Sequence, residues 1–126
     1  MRSVDTNVLI RLVTGDEVRQ TAVAEQFIEN GAWVSVLAVV ETAWVLRTWF
    51  KQSHAEIAAT LEMLLTHQSL VFQDSDLVAA ALELYKSRPS LGFSDCMMLH
   101  VARKAGHLPL GTFDRALGRV EGTKKL

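Results

Sequence analysis

Apolar residues recur along this chain in two rhythms. Short clusters rich in β-branched and aromatic residues alternate with longer stretches at helical spacing, which predicts strands interleaved with helices. Met1 to Val4 reads as a short strand, followed by a helix over Thr6 to Val13. Asp16 is placed to cap a second helix through Asn30, and Gly31 stops it. Trp33, Val34 and Val36 give Ala32 to Val36 strand character. From Leu37 to Phe50 the chain reads as a helix apolar on nearly every side, so it is expected in the core or under a partner. Ser53 and Glu56 form a capping-box signature that opens a helix to His67, with Ile57, Leu61, Leu64 and Leu65 on its apolar face.

The second half repeats the alternation. Leu70 to Gln73 is a third strand, and Asp74 or Ser75 caps a helix with Leu77, Ala81, Leu82 and Tyr85 on one face. Arg88 to Gly92 is a loop. Ser94 is expected to be the N-cap of a helix through Ala105, ended by Gly106. Leu108 to Phe113 reads as the next strand, and Val120 to Leu126 as an edge strand. This order indicates an α/β sandwich around a parallel sheet, in which ligands bind outside the carboxyl ends of the strands.

Composition narrows the class. A chain of 126 residues, 49% hydrophobic and 21% charged, fits one domain over 1–126 with a core of its own. The start lacks the layout of a secretory signal, and no apolar run approaches the roughly 20 residues that span a bilayer, so a soluble cytoplasmic protein is expected. The single cysteine, Cys96, excludes an intrachain disulfide and zinc-type spacing, and His54, His67, His100 and His107 form no metal-binding pattern. There is no glycine-rich phosphate loop and no Ser-His-Asp set. A net charge of -1 leaves no general nucleic-acid footprint, although Arg11, Arg47, Lys51, Arg103, Lys104, Arg115 and Arg119 lie near the residues discussed next.

Four acids occupy apolar surroundings: Asp5 after the first strand, Glu41 within Leu37 to Leu46, Asp95 in Phe93 to Leu99, and Asp114 closing Leu110 to Phe113. Each has a plainer reading. Glu41 pairs with Arg47 in that reading, Asp95 helps cap its helix, and Asp5 and Asp114 are turn residues. The four together point elsewhere, because each falls near the same end of the inferred sheet. Two carboxylates about 4 Å apart repel by on the order of 4 kcal/mol at an effective dielectric near 20, and a bound cation removes that penalty. Ligands that are all oxygen suit Mg²⁺ or Mn²⁺, which acidify water and stabilise charge at phosphorus. Phosphodiester hydrolysis is the chemistry this set serves.

The combination of Asp5-Thr6-Asn7, Glu41 in an apolar helix, Ser94-Asp95 and Thr112-Phe113-Asp114 resembles the PIN-domain nucleases, and the small size resembles their toxin branch, the VapC-like ribonucleases of type II toxin-antitoxin systems. The resemblance covers nearly the whole chain. It implies a three-layer α/β/α sandwich and catalysis at Asp5, Glu41, Asp95 and Asp114, which hold Mg²⁺ or Mn²⁺. Asn7 orients the first carboxylate, Thr6 and Thr112 support the site through hydrogen bonds, and Ser94 supports Asp95. RNA cleavage would leave 5′-phosphate and 3′-hydroxyl ends. A homodimer is implied, with a VapB-like antitoxin silencing it. The helices over Leu37 to Phe50 and Ser53 to His67 offer apolar surface to clasp a partner helix. Two rival classes remain: a PIN-like module that binds RNA or protein without cutting, and a phosphoacceptor domain, which needs a late-strand lysine that Leu108 to Asp114 does not supply.

Overall fold

The computed structural model describes all residues from Met1 to Leu126, in two compact units, Met1–Ser75 and Asp76–Leu126. The first unit is built on three parallel strands, β1 (Arg2–Val4), β2 (Ala32–Val34) and β3 (Leu70–Phe72), in the order β1-β2-β3. Val4 lies opposite Val34, and Val34 opposite Phe72. The pleat alternates as period-two side chains require: Ala32 and Val34 are buried while Trp33 is exposed, and Leu70 and Phe72 are buried while Val71 is exposed.

Helices α1 (Thr6–Thr14), α2 (Val18–Ile28), α3 (Val36–Thr48) and α4 (His54–Leu65) connect these strands. Each start is a local hydrogen bond. The Asp5 carboxylate accepts from the Val8 amide at 3.2 Å, and the Ser35 hydroxyl accepts from the Ala38 amide at 3.1 Å. Ser53 and Glu56 make the reciprocal box that the sequence indicates. Gly15, at φ +61°, ends α1 in the left-handed conformation that glycine adopts at no steric cost. Gln73 then ties the end of β3 to the start of α3, its side-chain carbonyl accepting from the Val36 amide at 2.9 Å. Leu9, Ile28, Val39, Leu46, Leu61 and Leu64 are among the most buried side chains.

The second unit carries α5 (Ser75–Ser87), α6 (Phe93–Ala105), β4 (Leu110–Thr112), a 3-10 turn (Leu117–Arg119) and β5 (Thr123–Lys125). Tyr85 and Phe93 meet edge to face at 5.7 Å, joining the end of α5 to the start of α6. Strands β4 and β5 pair in parallel, with Leu110 opposite Thr123. Gly118 is the tight point: a Cβ there would stand 2.8 Å from Lys125 Cβ. Arg103 donates to the Glu121 carbonyl at 3.1 Å, holding the loop before β5 against α6.

The α/β class with parallel strands is as expected, and several details are corrected. The ladders form two separate sheets, because β4 pairs with β5 and not with β1, β2 or β3. The strands are three residues long, since capping takes over where the apolar run continues: Ser35 ends β2 and starts α3. Glu17, not Asp16, is the N-cap of α2; Asp16 instead binds Arg11 at 2.8 Å and the Thr14 hydroxyl at 2.7 Å. Gly92, not Ser94, is the N-cap of α6, and no side-chain bond closes that end. No helix is long and apolar enough to cross a membrane.

Candidate functional site

The four sequence-selected acids differ in setting. Asp5 follows β1 directly and caps α1. It lines a groove of about 850 Å³ with Asn7, Val8, Arg11, Arg19 and Phe27 among the other walls. Thr6 beside it is buried, while Asn7 is exposed toward the groove. Asp5 thus meets solvent with one carboxylate oxygen engaged by its own helix.

Glu41 overturns an expectation. It is the sixth residue of α3, and it is exposed where apolar surroundings were expected. Two of the apolar neighbours that suggested burial stand on the outer face, Leu37 at 71% exposed and Trp44 at 58%. The buried face is instead Ala38, Val39, Thr42, Ala43 and Leu46. Thr42, polar by type, is fully buried because its hydroxyl donates to the Ala38 carbonyl at 2.7 Å. Glu41 makes no ion pair with Arg47, so the plainer reading of that residue fails as well.

Asp95 and Asp114 belong to the second unit, and Asp95 feels the charge of Asp114. Asp95 is the third residue of α6 and is half-buried. Burial, and after it the charge of Asp114, holds its carboxyl above the ordinary aspartate value. Asp114 is exposed two residues beyond β4. Its carboxylate accepts from the Leu117 amide at 2.8 Å, and its own amide donates to the Thr112 hydroxyl at 3.0 Å. Thr112 therefore positions the Asp114 backbone. Ser94 is exposed in the first turn of α6.

The expectation of four buried carboxylates is thus corrected: three are exposed and one is half-buried. No group of three or more His, Cys, Asp or Glu side chains stands close enough to hold a metal ion. The donor chemistry nonetheless fits a hard cation at the Asp95 and Asp114 pair. Both supply carboxylate oxygen, and a positive charge beside them would offset the burial and, after it, the Asp114 charge that hold the Asp95 carboxyl above its ordinary value. Cys96, adjacent in sequence, takes no part. It is fully buried, and burial together with the Asp95 charge pushes its thiol up to about 12. His100 is held below its ordinary value by burial and by Arg103.

Two features escaped the sequence reading. The groove lined by Asp5, Arg19 and Phe27 comes from the packing of α1 and α2, for which the sequence carries no local signal. The outward row of α3 was legible only as apolar, because large side chains stand on both of its faces.

Compared with known proteins, the family model of the PIN domain matches residues 3–122 of this chain. No curated protein matches it.

Proposed function

The chain belongs to the PIN-domain family, generally a nuclease fold and commonly a metal-dependent one, and from that premise we propose that it is a Mg²⁺- or Mn²⁺-dependent endoribonuclease, the toxin of a toxin-antitoxin pair. The observation that carries this reading is the family match over residues 3–122, within which Asp95, on α6, lies in the field of Asp114, two acids the sequence selects for a cation. Asp5, Glu41, Asp95 and Asp114 are proposed as the catalytic and metal-holding residues. Thr6, Asn7, Ser94 and Thr112 support them, Thr112 through its bond to the Asp114 amide. A bound divalent ion would supply Lewis acidity to water and to the phosphodiester.

The residues themselves contribute placement. Capping fixes the Asp5 backbone at the start of α1, and the turn to the 3-10 helix fixes Asp114. The start of α6 sets Asp95, and α3 presents Glu41 to solvent, open to a substrate. One family model running through both units supports a single domain over 1–126. The cytoplasmic setting, the homodimer and the VapB-like antitoxin complete the proposal.

The test incubates purified protein, beside its Asp5→Asn variant, with total cellular RNA and Mn²⁺ or Mg²⁺, then sequences new 5′-phosphate ends. Discrete ends that need both the metal and Asp5 are expected. A folded, antitoxin-free protein that makes none favours the second reading, a PIN-like module that binds without cutting. That alternative draws on the exposure of Asp5 and Asp114 and on the engagement of both carboxylates by backbone amides.

A further inference from the structure

Helix α3 points an unusual row at solvent. Glu41, Trp44 and Arg47 follow one another at three-residue intervals, with Lys51 four residues further on, just beyond the helix end. Glu41 to Arg47 spans about 9 Å along the axis at ordinary helix rise. All four are exposed, Trp44 by 58%. Neither Arg47 nor Lys51 has a hydrogen bond or ion pair through its side chain. An aromatic plane interleaved with free cations is matched by a polyanion whose units carry flat π-faces, which is single-stranded nucleic acid.

Lys51 adds an independent sign. It stands at φ +53°, in the left-handed region where a side chain is disfavoured and glycine fits without cost. The Gln52 amide closes this turn on the Leu46 carbonyl at 3.1 Å. A lysine therefore occupies a position whose backbone favours glycine. The strain is accounted for if the ammonium itself is used.

We propose that this outward row of α3 is a track for the RNA substrate, on which Trp44 stacks a base beside the scissile phosphate and Arg47 and Lys51 hold the backbone phosphates leading away from Glu41. The inference deepens the nuclease reading and rests on it for the identity of the substrate as RNA. Leu37 and Trp49 are exposed beside this row as well, at 71% and 72%, but the exposed cations Arg47 and Lys51 set among these side chains match a polyanion with flat bases better than an apolar protein face.

The experiment measures anisotropy of 5′-fluorescein-labelled 12-nucleotide oligouridylate and oligoadenylate on the full chain in EDTA, so that nothing is cut during the titration. Trp44→Ala is expected to weaken binding about ten-fold, and Trp44→Phe, which keeps a π-face, to restore most of it. Arg47→Gln and Lys51→Gly should each lower the slope of log affinity against log salt by about 0.7. Lys51→Gly should do so while its Tm stays equal to or above that of the parent, which a merely structural lysine would not show. Where cleavage is present, Trp44→Ala should raise KM with little change in kcat.

Metal- and Asp5-dependent cleavage together with unchanged RNA binding by Trp44→Ala would overturn the track and leave the nuclease standing. Loss of binding by Trp44→Ala in a protein that cuts no RNA would keep the track and remove the nuclease. A Trp44→Ala variant that binds RNA normally but changes its oligomeric mass by light scattering assigns the face to a second copy and overturns the proposal. Absence of any binding by the parent chain does the same.

Discussion

Burial, followed by the charge of Asp114, keeps the Asp95 carboxyl above the ordinary aspartate value of 3.8, so at pH between the ordinary and the raised value the folded chain binds this proton more than the unfolded chain does. The direction of the linkage follows. As pH rises from the ordinary value through the raised one, the folded state loses stability, and the deficit persists at neutral pH. Asp95→Asn is therefore expected to have a higher Tm than the parent at pH 7, with the difference vanishing near pH 3, in a thermal melt followed by circular dichroism. A lower Tm at pH 7 would mean that the charged form is stabilised instead. Cys96 offers a second check at this scale. With its thiol buried and pushed up to about 12, it should resist iodoacetamide at pH 8 in the folded chain and react fully in urea, as read by intact mass. Position and type in the sequence suffice to nominate the four acids. They do not give exposure: of the apolar neighbours of Glu41, Leu37 and Trp44 stand outside and Ala38 is buried, and a list of neighbours does not say which face meets the core.

Helix α3 shows why an element's existence is easier to read than its orientation. Its apolar residues surround the axis, so the pattern predicts a helix without selecting a face; the small residues Ala38 and Ala43 and the back-bonded Thr42 mark the side that packs closely. The assignment is testable by contrast. Leu46→Ala, at a fully buried position, should cost about 2–5 kcal/mol, whereas Trp44→Ala, at a largely exposed one, should cost far less, both measured by urea unfolding. Equal losses would place the two residues in the same environment. Helix α4 is the opposite case, because the Ser53 and Glu56 signature is local and the expected box forms as written. Ser53→Ala should cost about 1 kcal/mol. The ordered Glu56 carboxylate, held below its ordinary value by Ser53, adds stability that is present above that ordinary value and lost as pH falls through the lower one.

For the whole molecule, the alternation of strands and helices conveyed the α/β class, but pairing between distant strands has no local signature. That is why the partnership of β4 with β5, apart from β1, β2 and β3, was not foreseen. The proposal of a single domain has a built-in reporter. Trp33, Trp44 and Trp49 all lie in Met1–Ser75, whereas far-UV circular dichroism reads the helices of both units. Tryptophan fluorescence and circular dichroism should then follow one urea transition with a shared midpoint. Two separable midpoints would divide the chain into two domains. The tight point at Gly118 reaches beyond any single experiment. Because a Cβ there would collide with the Cβ of Lys125, and not with the yielding tip of a side chain, positions 118 and 125 are not free to vary independently. In an alignment of related sequences, a residue larger than glycine at 118 should travel with glycine or a deletion at 125. The pair would then appear as coupled columns, an imprint of β5 left in the record of descent.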